Sequence, residues 1–171
     1  MSMIVDFYLE RTRDNRGRTL GDILLWDDER LEREHDYIQW LFPGRKPSGF
    51  NSAAPILDTE TIQAFHEHVE LREKLLRSLD RMLAFYGFYR VSNADLSRVQ
   101  KDATWEQRRR VWLSPSNHNF LRVTRILACL RNLGCRDASA AFFGVLQEMY
   151  WSEGDRIISS ESFARWKSAH C

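Results

Sequence analysis

No stretch of this 171-residue chain is apolar for long enough to cross a bilayer. Its opening MSMIVDFYLERTR lacks the long apolar core of a secretion signal. These absences point to a cytoplasmic protein. Cysteine is scarce: Cys129, Cys135 and Cys171 form no CxxC pair, which argues against a zinc site or disulfide framework and for reduced thiols. There is no GxSxG elbow, no P-loop, no GxGxxG turn and no HExxH helix. No catalytic residue, cofactor or metal is therefore implied. Sustained period-two alternation, repeats and low-complexity tracts are also missing, which leaves helices as the material of the fold.

What is present is one domain's worth of chain, residues 1–171, with 43% hydrophobic residues and a high aromatic share that includes 6 Trp and 10 Phe. The net charge of +1 hides an asymmetry. Residues 1–86 carry 12 Lys+Arg and 16 Asp+Glu, whereas 87–171 carry 13 and 8. Within 90–136 there are 10 basic and 3 acidic residues, net +7. Such a segment attracts an anion or nucleic acid, or is complemented internally by the acidic first half.

The stretch HDYIQWLFP, His35–Pro43, places five large apolar residues within six positions and reads as an enclosed helix stopped by Pro43. On helical spacing, His35, Asp36 and Gln39 share one polar stripe. Before it, Thr19 and Asp22 have the spacing of a helix N-terminus. After it, residues 43–58 form a long loop rich in Pro and Gly, and Asp58 caps a short helix. Leu71, Leu75, Leu79, Met82, Leu83 and Tyr86 mark the clearest helix, closed by Gly87. The segment 90–116 is weakly patterned, with Trp105, Val111 and Trp112 suggesting one helical face, and further helices are predicted over 118–133, 137–151 and from 160. The expected fold is all-α, one irregular bundle of about six to eight helices with one long Pro/Gly loop.

HDYIQWLFP resembles the signature of the opioid growth factor receptor family's conserved domain. The longer block FYLERTRDNRGRTLGDILLWDDERLEREHDYIQWLFP, the loop GFNSAAPIL, and the blocks LLRSLDRMLAFYGF and NHNFLRVTRILACLRNLG resemble that domain in the same order. Together they cover about three-quarters of the chain. The resemblance implies a non-enzymatic module that binds a peptide, since vertebrate members bind Met-enkephalin and restrain proliferation. Those members carry long C-terminal extensions with repeats and act around the nucleus. Here the sequence stops soon after the matching blocks, and Arg108–Arg110 is its one compact basic run. The family supplies no catalytic residues to carry over.

Two constellations are candidates for binding. His35, Asp36, Tyr37, Gln39, Trp40 and Asn51 would form an aromatic pocket with one carboxylate, suited to a peptide's ring and amine; alternatively they satisfy loop backbone. His118, Asn119, Arg122 and Arg125 fall near one helix N-terminus or along one of its sides. They would hold a phosphate or carboxylate, or pair with acids such as Asp36 or Asp27. Glu32-x-x-His35 has di-metal spacing but no second copy, His66 and His68 point apart on a helix, and Cys129 would need a nearby His to act as a nucleophile. A peptide or protein segment is the expected partner, with nucleic acid the alternative.

Overall fold

The computed structural model describes residues 2–93 and 96–171. Among them lie ten helices: α1 (Met3–Tyr8), α2 (Leu20–Leu24), α3 (Asp28–Arg33), α4 (Ile38–Leu41), α5 (Thr59–Glu67), α6 (Val69–Tyr86), α7 (Trp105–Trp112), α8 (Asn119–Asn132), α9 (Arg136–Glu153) and α10 (Ser160–His170). An antiparallel hairpin, β1 (Phe88–Asn93) and β2 (Leu96–Lys101), stands between α6 and α7. The fold is thus largely helical but not all-α, and the helices exceed the expected six to eight. The surplus is short: α1 to α4 have four to six residues each. Elements of one turn carry too little periodicity to register in a sequence pattern.

Side-chain caps start two of these short elements, α2 and α3, and also α5. Thr19 and Asp22 form a capping box on α2: Asp22 N donates to Thr19 Oγ1 at 3.0 Å and Thr19 N to Asp22 Oδ2 at 2.8 Å. Asp27 accepts from Arg30 N at the start of α3, and Asp58 from Thr61 N at the start of α5. Gly87, with φ of +88°, takes the left-handed conformation that ends α6.

The hairpin pairs Phe88 with Lys101, Tyr89 with Gln100 and Arg90 with Val99. Phe88 and Val99 turn inward, and Tyr89 OH donates to Gln100 Oε1 at 2.8 Å on the other face. Arg90 grips Asp80 of α6 with two 2.9 Å bonds. Residues 94 and 95 of the basic segment fall outside the described residues.

The buried side chains form one continuous cluster that includes Trp40, Trp112 and Trp166. Each large apolar side chain fully removed from water contributes about 1.5–3 kcal/mol. The buried indoles also find acceptors: Trp112 Nε1 donates to Tyr86 O and Trp166 Nε1 to Phe120 O, both at 3.0 Å. α8 packs on α9 and α10, and its Val123, Ile126, Leu127 and Leu130 are buried. Its opposite strip, with Leu121, Thr124, Arg125 and Ala128, looks out toward the 44–50 segment.

Candidate functional site

The helix in HDYIQWLFP is a single turn that begins only at Ile38. His35, Asp36 and Tyr37 precede it, so the polar stripe expected from helical spacing does not form. Asp36 instead meets the turn before α2. Arg18 Nη1 donates to Asp36 Oδ1 at 2.9 Å, and Arg16 Nε lies 3.1 Å from Asp36 Oδ2. Burial pushes the Asp36 carboxyl up, but the hydrogen bond and charge of Arg18, with Arg16, hold it below the usual range. Asp14 fixes that turn by accepting from Arg16 N, Arg18 N and Arg18 Nε.

The expected aromatic pocket is also closed. Tyr37 and Trp40 are buried core rings. Tyr37 OH donates to Leu31 O at 2.9 Å, and burial pushes that phenol up to about 12. Trp40 Nε1 donates to Asn15 Oδ1 at 2.8 Å. Asn51 is buried and donates to Asp36 O at 2.7 Å, tying the Pro/Gly loop to this stretch. Gly44 and Leu57 close the base of that loop, with Leu57 N donating to Gly44 O at 2.9 Å. Asn51 and the Asp36 carbonyl therefore hold the loop in place and Tyr37 and Trp40 belong to the core, while His35 and Gln39 line an open cleft.

The second constellation divides in the same way. Arg122 is buried and saturated: it donates to Leu31 O at 2.9 Å, Glu34 O at 2.7 Å and Glu32 O at 3.4 Å, and its Nη1 lies 3.8 Å from Glu32 Oε2. These carbonyls belong to the C-terminal end of α3, so Arg122 supplies that helix with the cationic cap its unpaired acceptors require. Neither Asp36 nor Asp27 is its partner, because one is taken by Arg18 and the other caps α3. Asn119 is buried and bonds Glu32 and Asn117. The first amides of α8 are used as well, with Asn119 N donating to Asn117 Oδ1 and Phe120 N to Asn117 O. The expected anion site at that N-terminus is therefore occupied by the chain itself.

His118 and His35 stand edge to face with ring centroids 5.0 Å apart, and His118 Nε2 lies 3.2 Å from Glu32 Oε1. Burial lowers the His118 pKa, Glu32 partly offsets that, and Arg122 and His35 lower it further.

Arg125 differs from its neighbour. Its one hydrogen bond is from Nη1 to Phe42 O at 3.3 Å, and no carboxylate lies within 4.0 Å among the described residues. It is half-buried, and that burial lowers its pKa. Gly44 makes room for it, since a Cβ there would lie 3.2 Å from Arg125 Nη1.

Around Arg125 opens a groove of about 640 Å³, within the range of ligand clefts. The 44–50 segment forms one wall and α8 the other, Ile38 and Gln39 the floor, and His35 with His118 one end. Much of the wall is carbon, from Ile38, Pro47, Phe50, Leu121 and Ala128. Arg45, Lys46, Arg122, Arg125 and Arg131 bring positive charge, and no Asp or Glu lines the groove among the described residues. Arg45 and Lys46 are exposed and form no ion pair among the described residues. Sequence reasoning missed Arg45, Lys46, Phe50 and Leu121. A signal was available: residues 37–57 contain two cations and no acid.

Four of the ten cations in the basic 90–136 segment, Arg90, Arg108, Arg109 and Arg122, meet an internal carboxylate among the described residues. Arg108 lies 3.5 Å from Asp28, Arg109 meets Glu153 at 2.6 Å, and Arg90 is held by Asp80. Cys129 and Cys135 are buried, which pushes the Cys129 thiol well up and that of Cys135 to about 11. Both stay protonated at neutral pH. Among the described residues, no group of three or more His, Cys, Asp or Glu is placed to hold a metal, and no helix is long and apolar enough to cross a membrane.

Comparison with known proteins identifies relatives. The family described as the opioid growth factor receptor (OGFr) conserved region matches residues 3–153. The opioid growth factor receptor of Rattus norvegicus is 40% identical over 121 residues, which is 69% of this chain and 20% of that protein. That of Homo sapiens is 39% identical over 121 residues, 69% of this chain and 17% of the relative. Opioid growth factor receptor-like protein 1 of Mus musculus is 39% identical over 108 residues, 63% of this chain and 22% of the relative. The chain thus spans about a fifth of the length of these curated relatives. No solved structure matches it.

Proposed function

The chain belongs to the opioid growth factor receptor family, and on that premise we propose that it is a non-enzymatic binding module for a peptide or protein segment. The segment lies in the groove between the 44–50 wall and α8. The observation that carries this reading is the composition of that groove: carbon along its walls, cations above it, and no acid lining it among the described residues. Apolar area supplies affinity, and the few polar groups supply orientation. The relatives' name, which is that of a receptor for a growth factor, agrees with a ligand of peptide type. Internal pairing of Arg90, Arg108 and Arg109 reduces the positive charge on which a nucleic-acid reading rests.

The test is selection from a random twelve-residue peptide library displayed on phage, followed by amide-shift mapping of the enriched peptides. The expected shifts cluster at 38–50 and 118–132, and Leu121→Glu abolishes binding. Enriched peptides that bind Leu121→Glu as tightly as the wild type would rule the groove out.

A further inference from the structure

Arg125 in this groove lacks the carboxylate partner that Arg108, Arg109 and Arg122 have, as does Arg131 on the same helix, among the described residues. Arg122 has three carbonyls and a nearby carboxylate. Arg108 and Arg109 each have a carboxylate. Arg125 has one long bond to a carbonyl. A half-buried guanidinium with five donors and no counter-ion among the described residues is costly to keep, and an anion brought to it in a low-dielectric cleft forms a strong charge-assisted pair. A second group is also left unsatisfied at the groove floor. Gln39 is 3% exposed, its Nε2 donates to His35 O and Ser48 Oγ, and its Oε1 accepts nothing.

We propose that the segment bound here is acidic and apolar, with a carboxylate anchored on Arg125 beside an apolar side chain laid against Leu121 and Ala128. This rests on the groove being a peptide site. Arg45 and Lys46, exposed at the rim, steer the acidic segment inward, and Gln39 Oε1 is an acceptor for one of its N–H groups once the 44–50 wall yields. Charge complementarity sets the occupant, and the carbon walls favour a peptide over a phosphate backbone. Phe50 is the one large ring on the groove wall among the described residues, whereas sequence-tolerant binding of single strands uses successive stacking platforms.

The test measures dissociation constants by calorimetry for peptides enriched from the library, against the wild type, Arg125→Gln and Arg125→Lys. Enriched sequences are expected to carry Asp or Glu next to Leu, Phe or Trp. Replacing that acid by its amide, or Arg125 by Gln, should each weaken binding about tenfold or more. Both changes together should do no further harm, and Arg125→Lys should retain part of the affinity. If Arg125→Gln leaves the constants unchanged while Leu121→Glu abolishes binding, the groove reading stands and the carboxylate anchor falls. Losses that simply add would also overturn the anchor. If no peptide is enriched, or a single-stranded oligonucleotide binds the groove with steep salt dependence and acidic peptides do not, both readings fall.

Discussion

Arg122 and Arg125 stand three residues apart on α8, and each faces the end of a short helix, α3 for one and α4 for the other. Arg122 closes its helix completely. Its guanidinium collects the carbonyls of Leu31, Glu32 and Glu34, and Glu32 in turn gathers His118 and Asn119. That end of α8 is a latch between the acidic first half and the helical second half. Arg125 closes nothing: one 3.3 Å bond to Phe42 O leaves most of its donors without an acceptor among the described residues, and a cleft opens beside it. The same residue type on the same helix is fully paired in one place and sparsely paired in the next. Counting acceptors separates the two, whereas charge and spacing alone do not.

The contrast between a latched end and an open end can be broken or sharpened by substitution. The largest effect should come from Trp40→Ala, which removes a buried indole packed 5.1 Å from Phe7 and bonded to Asn15. A loss of about 3–5 kcal/mol is expected in denaturant unfolding. A mild loss would mean that HDYIQWLFP is looser than a latch requires. Glu32→Gln comes next, at about 1 kcal/mol, since it weakens bonds to His118, Asn119 and Arg122 without opening a cavity.

A smaller effect is expected from pH. His118 has its pKa lowered in the folded chain from the ordinary value of 6.5. The unfolded chain therefore takes the proton first, so this contribution is whole above that value and is lost as pH falls through it toward the lowered one. Melting temperatures across that range should show an acid-side decline that His118→Gln flattens. An unchanged decline in the variant would remove His118 from the latch. The smallest effect belongs to the open end. Phe50 is 73% exposed, so Phe50→Ser should shift stability by no more than about 0.5 kcal/mol. A larger loss would place the 44–50 wall in the core.

Much of this arrangement was legible in the sequence wherever a pattern was long. The stripe from Leu71 to Tyr86 and that from Val123 to Leu133 marked α6 and α8, and Gly87 marked the end of α6. His118, Arg122 and Arg125 all line the groove, whereas Cys129, which the same helical spacing puts beside them, is buried in the core. The hairpin was not legible, because Leu96 and Val99 are the apolar residues of β2 and stand three apart rather than two. A charge asymmetry pairs halves, not residues, so it offers Asp36 or Asp27 to the arginines of α8 only as an alternative; the true partners of Asp36 lie in a turn that Asp14 organises and no periodicity encodes. The groove itself depends on how a 14-residue loop closed by Gly44 and Leu57 is laid against a helix far along the chain. Composition announced that loop and the absence of acid within it, but not which wall it would face.

The most direct measurement compares thermal unfolding of Arg122→Met and Arg125→Met at neutral pH and low salt. Arg122→Met should unfold well below the wild type, by an amount corresponding to about 3 kcal/mol or more, because the end of α3 and Glu32 lose their buried partner. Arg125→Met should be as stable as the wild type or slightly more so, because it replaces an uncompensated cation with an apolar side chain of similar reach. Equal losses in the two variants would contradict the distinction between latch and open site, and with it the assignment of the groove.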